Sequence, residues 1–210
     1  MHHAALGLVV AYLAGSFPPA YLAGRLLKGV DLRTVGSGNL GATNVYRELG
    51  AGAALAVYLI DAAKGALPVW LLPRFLDVGT GAAAEWWAIA YGVAALSGHA
   101  KPIFLLWQGG GKGVSTASGV FLALTPLPLA IALSGFILVT VASGFVSLGS
   151  LVGAVLLPPI VFWHEGATPV FFLSLAVGLF IWWSHRTNIT RLLNGTERSI
   201  RRTREKGESS

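Results

Sequence analysis

Residues 51–72 read AGAALAVYLIDAAKGALPVWLL. Apart from Asp61 and Lys64 the run carries no charge. It matches the roughly 20 apolar residues a helix needs to cross about 30 Å of hydrocarbon. Stretches 4–24 and 167–184 have the same character, and 84–99, 113–125, 128–143 and 146–163 are shorter apolar runs. The long apolar region 113–163 is divided at Thr125-Pro126-Leu127-Pro128 and at Ser143-Gly144, because proline and glycine interrupt helices. Three short helices fit there, as do two longer ones; the division into three gives seven spans. Composition agrees with a membrane chain, since only 11% of the 210 residues are charged and 54% are hydrophobic, against about 25% charged in soluble domains.

Charge then orients the chain. With seven spans and the N-terminus outside, loops 25–50, 98–112 and 142–147 and the tail from 185 face the cytoplasm. Those segments hold all of the 15 Lys and Arg residues except Arg74 and Lys64, as the positive-inside rule requires. Five spans would also leave the C-terminus inside, so the charges support the odd number more than the value seven. Trp70, Trp86, Trp87, Trp163, Trp182 and Trp183 fall near span ends, where interfacial aromatics belong. The expectation is an all-α integral membrane protein with seven transmembrane helices, some short, its C-terminus cytoplasmic. Residues 1–199 form a single polytopic domain and 200–210 a basic polar tail. The net charge of +6 is read as attraction to lipid rather than to nucleic acid. No removable signal peptide is evident, and His2-His3 receives no function.

Three polar, glycine-rich segments interrupt the apolar background, all on the expected cytoplasmic side. The first is Gly36-Ser37-Gly38-Asn39-Leu40-Gly41-Ala42-Thr43-Asn44. It spells G-x-G-x-x-G, but a dinucleotide fold needs a preceding strand and an acidic residue about 20 positions later. Asp61 has that spacing and lies inside an apolar span, so the nucleotide reading is rejected. Locally, Gly36, Gly38 and Gly41 free backbone N–H groups for an anion, with Ser37, Asn39, Thr43 and Asn44 as side-chain donors and Arg47 as a planar cation. The other reading is an ordinary turn-rich loop.

The second segment, Gly109-Gly110-Gly111-Lys112-Gly113, lacks the pattern of a P-loop: Leu106 and Gly113 stand where glycine and Ser/Thr are required. A glycine turn entering a helix at Val114 still offers N–H groups and a positive dipole end beside Lys112. The alternative is a flexible loop with a snorkelling lysine. The third segment carries His185, Asn188, Arg191 and Glu197. His185 and Asn188 share a face if the last span continues as helix, and His185 then serves as donor or base or is interfacial decoration. Asp61 and Lys64 form an i, i+3 pair inside a span, read chiefly as pinning helices together. His99 ends the third span and orients the second loop. Cys is absent, no His/Asp/Glu pattern suggests a metal, and neither an H-x-x-x-x-D dyad nor a D-x-x-D-G array occurs. A covalent acyl-enzyme is therefore not expected.

Together these segments resemble the bacterial membrane acyl-phosphate:glycerol-3-phosphate acyltransferase family. The resemblance rests on Gly36 to Val45 with Arg47, on Gly98-His99, Pro102 and Gly110-Gly111-Lys112-Gly113-Val114, and on His185-Arg186, Asn188-Ile189, Arg191-Leu192, Gly195 and Glu197. Gly15-Ser16 and Asp61-x-x-Lys64-Gly65 also fit. The resemblance implies seven helices and one site on the cytoplasmic face of the bacterial inner membrane. It implies transfer of a fatty acyl group from acyl phosphate to the 1-hydroxyl of sn-glycerol 3-phosphate, without cofactor or metal, giving lysophosphatidate and phosphate. By motif position, Ser37, Arg47, Lys112, His185 and Asn188 are the principal site residues. Gly36, Gly38, Asn39, Gly41, Thr43, Asn44, Gly110, Gly111, Gly113 and Glu197 support substrate binding. The second motif departs from the family pattern: Trp107-Gln108-Gly109 lacks an earlier lysine and gains a residue, with Lys101 as a stand-in cation. The rival readings are a membrane carrier for an organic phosphate and an inactive paralogue that still binds acyl phosphate.

Overall fold

The computed structural model describes residues 2–201, and among them the regular structure is entirely helical. The chain divides into two compact units, Met1–Leu124 and Thr125–Ser210. The first begins with α1 (His2–Ser16) and α2 (Pro19–Lys28), separated at Phe17 and Pro18. Pro18 lacks an N–H and disfavours helix in the residue before it, so the helix of the expected span 4–24 is interrupted there, while His3–Lys28 remains long and apolar enough to be one membrane span. Next come α3 (Ala42–Leu49), α4 (Ala51–Phe75), α5 (Ala82–Ala100), a 3-10 turn (Ile103–Leu105) and α6 (Val114–Leu124).

Within this unit α4 is the axis, packing against α1, α3, α5 and α6. Its closest neighbour is α6, and Gly119 explains the approach. A Cβ there would overlap the Ala62 carbonyl and lie 2.9 Å from Ala66 N, so only glycine lets the backbones meet. Leu32, Leu40, Val45 and Val57 form a buried apolar cluster with Ala20 and Leu105. That cluster ties the loop between α2 and α3 down onto the helices, and each fully buried side chain contributes roughly 1.5–3 kcal/mol.

The second unit contains α7 (Pro126–Ser143), α8 (Val146–Glu165), α9 (Pro169–Ser184) and α10 (Arg186–Leu193). Here α8 packs against both α7 and α9. The boundaries at Thr125-Pro126 and Ser143-Gly144 fall where the sequence divided the apolar region: Pro126 is at the first turn of α7 and Gly144 caps its end in the left-handed conformation, φ 79°. The last apolar span does not run on as a straight helix, since α9 and α10 are bent by 58°. His185 stands at that bend rather than on a continuous face with Asn188.

A helix occupies each of the seven apolar stretches. Four segments are long and apolar enough to cross a membrane: His3–Lys28, Ala51–Phe75, Pro126–Ser143 and Val146–Glu165; the bent pair Pro169–Ser184 with Arg186–Leu193 makes a fifth if it is one span. By contrast α6 has 11 residues, about 17 Å at 1.5 Å per residue, or roughly half the hydrocarbon layer. Leu59, Leu67 and Trp70 on α4, Ile137, Leu138 and Val141 on α7, and Leu179 on α9 are exposed. In water such surfaces would drive aggregation; lipid tails match them.

Candidate anion-binding site

The first glycine loop is shaped from inside by Asn44. This side chain is only 1% exposed. Its Oδ1 accepts from the Ser37 N–H at 2.9 Å, and its Nδ2 donates to the carbonyls of Leu32 and Val35, both at 3.2 Å. The amide is thus spent on backbone, which makes Asn44 a brace for the loop rather than the outward donor the sequence suggested. Gly36 has φ 65°, and a Cβ there would overlap Asn44 Oδ1. Ser37, Gly38, Asn39, Gly41, Thr43 and Arg47 remain half-buried around the brace. Ser37 Oγ lies at 3.5 Å from the Asn39 N–H, a long contact.

An ion cluster anchors the same loop. Arg33 Nη2 donates to Asp31 Oδ2 at 2.7 Å and Arg25 Nη2 approaches the same oxygen at 3.3 Å. The side-chain hydrogen bond from Arg33 holds the Asp31 carboxyl at about 2, below its usual 3.8. Arg33 also donates to the Gln108 carbonyl at 3.3 Å, reaching the second loop. A direct backbone bond joins the two loops as well, from Leu40 N–H to the Gly110 carbonyl at 3.3 Å.

The second loop starts where α5 ends. After the 3-10 turn, Leu106 and Trp107 take positive φ of 51° and 59°, conformations that non-glycine residues rarely adopt. Trp107 is held by its indole N–H, which donates to Tyr12 Oη at 2.9 Å, and Tyr12 in turn donates to the Lys101 carbonyl at 2.8 Å. Gly110 and Gly111 then pass against the end of α5, with Gly111 N–H donating to the His99 carbonyl at 3.2 Å. Lys112 is half-buried, Gly113 is buried, and α6 begins at Val114. A helix N-terminus therefore follows the lysine directly.

Beside this loop lies a narrow cleft lined in part by Ser16, Asp61, Lys64, His99, Gly110 and Gly111. Asp61, Lys64 and His99 are 1%, 8% and 5% exposed. Lys64 Nζ lies 2.7 Å from Asp61 Oδ1 and donates to the Phe17 carbonyl at 2.8 Å, while His99 Nδ1 is 3.4 Å from Asp61 Oδ1. Sequence spacing revealed the Asp61–Lys64 pair, but nothing local could attach His99 to it.

The second unit holds the third segment. Asn188 Nδ2 donates to Glu197 Oε1 at 2.7 Å, and Ser147 Oγ donates to the same oxygen at 2.9 Å. Gly195, φ 66°, turns the chain back after α10 so that Glu197 can reach both. Ser147 carried no sequence signal. His185 is 4% exposed, and its Nδ1 lies 2.8 Å from the Ile181 carbonyl. A carbonyl accepts only, so Nδ1 bears the proton and Nε2 is the basic nitrogen of the neutral ring. Further along, Ile200 N–H donates to the Gly144 carbonyl at 2.9 Å, and Arg201 Nη2 donates to the Val141 and Ala142 carbonyls at 2.7 and 2.9 Å. The chain after α10 thereby caps α7. Arg202, Arg204 and Lys206 of the expected basic tail lie outside the described residues. No cluster of His, Asp or Glu among the described residues suits a metal.

Several apolar helices long enough for a bilayer, with glycine loops bearing cations and hydroxyls between helices, define a multi-pass membrane protein. Comparison with known proteins narrows this class. A profile for glycerol-3-phosphate acyltransferase matches residues 5–195. Glycerol-3-phosphate acyltransferases of Synechococcus sp. (strain CC9902) and Parasynechococcus marenigrum (strain WH8102) are each 44% identical, covering 96% and 94% of this chain and 96% and 90% of those proteins. The crystal structure of PlsY (YgiH), an integral membrane glycerol 3-phosphate acyltransferase in its glycerol 3-phosphate form, is also similar. It matches with TM-score 0.85 and 34% identity, over 94% of this chain and 95% of that one. Its lysophosphatidic acid form gives TM-score 0.82 and 33% identity, over 93% and 94%. This chain belongs to the glycerol-3-phosphate acyltransferase family.

Proposed function

We propose that this acyltransferase moves a fatty acyl group from acyl phosphate to the 1-hydroxyl of sn-glycerol 3-phosphate, releasing lysophosphatidate and phosphate. Within this proposal it acts at the cytoplasmic face of a bacterial inner membrane, spanning it seven times with the N-terminus outside. The observation that carries the reading is the bond from Leu40 N–H to the Gly110 carbonyl. It brings two glycine loops, with Ser37, Arg47 and Lys112 on or beside them, into one structure. Two loops rich in N–H donors suit a reaction whose substrates both carry phosphate. Similarity to PlsY, solved in glycerol 3-phosphate and lysophosphatidic acid forms, supports the same acceptor and product.

In this scheme the glycerol 1-hydroxyl oxygen attacks the acyl carbonyl carbon, the bond from that carbon to the phosphate oxygen breaks, and phosphate leaves with the electron pair. The hydroxyl proton passes to a phosphate oxygen or to His185 Nε2. Acyl phosphate is already activated, so alignment and charge neutralisation suffice. By motif position in the sequence, Ser37, Arg47, Lys112, His185 and Asn188 are the residues proposed to contact the substrates. Glu197 and Asn44 hold their neighbours in place. Gly36, Gly38, Gly41, Gly110, Gly111 and Gly113, with Asn39 and Thr43, form the phosphate cradle.

Purified protein in detergent tests the proposal. Phosphate release should require palmitoyl phosphate and glycerol 3-phosphate together, with lysophosphatidate formed in equal amount. Counterflow of glycerol 3-phosphate in vesicles without turnover would make the protein a carrier and overturn the reading.

A further inference from the structure

Asp61, Lys64 and His99 take no part in the chemistry above, yet three buried ionisable groups in an apolar helix packing are costly and need a reason. Pinning α4 to its neighbours would require only the pair: Lys64 already bridges Asp61 on its own helix and the Phe17 carbonyl at the break between α1 and α2. His99 adds a contact with a direction. Its Nδ1 faces Asp61, and the opposite edge of its ring lies against Gly111, where a Cβ would overlap Nε2. Its carbonyl accepts the Gly111 N–H at 3.2 Å. One residue therefore touches the second glycine loop with both backbone and side chain, immediately before Lys112.

We infer that His99, held by Asp61 and Lys64, is a positioning residue that sets the path of the 109–113 loop and so the placing of its N–H groups and Lys112 on a substrate phosphate. The inference rests on the proposed role of that loop in phosphate binding. Asp61 faces the ring from one side at 3.4 Å and Gly111 abuts it on the other. Rotating or removing the ring lets Gly110 and Gly111 move away from the end of α5. Lys64 keeps the Asp61 carboxylate in place and balances its charge.

The coupling between His99 and Gly111 is the test. H99A and G111A should each raise KM for at least one phosphate substrate about fivefold or more, with kcat kept within about threefold. The three atoms nearest an added methyl at Gly111 all belong to the His99 ring, so the H99A/G111A double variant should be no worse than G111A alone, a non-additivity expected of residues in contact. D61N should reproduce the KM effect with the ring still present. Hydrogen exchange at the Gly111 amide, read in detergent without substrate, should be about tenfold or more faster in H99A than in wild type. Additive KM effects, or H99A and D61N that lose only thermal stability at unchanged KM, would overturn the inference. Unchanged exchange at Gly111 would overturn it too, and that readout holds even if the wild-type protein fails to turn over palmitoyl phosphate, the result that would instead remove the proposed reaction.

Discussion

Arg47 and Lys112 belong to or adjoin the two linked glycine loops. Truncating either to alanine should remove the proposed charge-assisted contact to a phosphate, worth roughly 2–4 kcal/mol in the transition state, or about 30- to 1,000-fold in kcat/KM. Initial rates of phosphate release measure this directly, and near-normal rates would remove the residue from the site. Asp31 tests the loop by titration. Its carboxyl titrates at about 2 when folded, against 3.8 ordinarily, so the charged form is favoured in the folded protein. The stability it adds is complete above about pH 4 and is lost as pH falls through about 2. Melting temperatures of wild type and Asp31→Asn should therefore differ most near neutrality and converge across that window. A gap that stays constant down to pH 2 would show that the Arg33 contact contributes nothing.

At the scale of elements, α4 and α6 meet through glycine. A valine at Gly119 would force the Ala62 carbonyl away, an overpacking that costs roughly 1–3 kcal/mol and lowers Tm by several degrees. Gly52 on the same α4 has nothing within 4 Å of a Cβ, so Gly52→Ala should leave Tm unchanged. Equal shifts for both variants in a detergent melt would refute close packing as the cause. The ends of α7 were readable, because proline at 126 and glycine at 144 act through local backbone geometry. The break at Phe17–Pro18 and the bend at His185 were less so: apolar composition continues through the first, the second falls where the chain turns polar, and hydropathy cannot register a change of direction. In the site, Ser37, Lys112 and the glycines stood out through their chemistry. Asn44 and Ser147 did not declare their parts, since which carbonyl or carboxylate a side chain meets depends on contacts distant in sequence. For the same reason His99 was tied to the loop by sequence position, but not to Asp61.

For the whole molecule, the proposed orientation follows from where charge can lie at low cost. Lys and Arg are retained on the cytoplasmic side during insertion, and all of the 15 except Arg74 and Lys64 fall in segments assigned to that side. The same orientation makes chemical sense of the site, because glycerol 3-phosphate is a charged cytosolic solute and an acyl phosphate keeps its chain in the membrane. The chain contains no cysteine, so single cysteines report sidedness without background. Thr34 and Thr196 are exposed in the loops before α3 and after α10, and Thr80 is exposed between α4 and α5. In intact spheroplasts a membrane-impermeant maleimide should label Thr80→Cys and spare Thr34→Cys and Thr196→Cys. Permeabilisation should expose the latter two. Labelling of Thr34→Cys in sealed spheroplasts would put the first glycine loop on the outer face, away from the nucleophile's compartment, and the proposed acyl transfer to a cytosolic acceptor would fail with it.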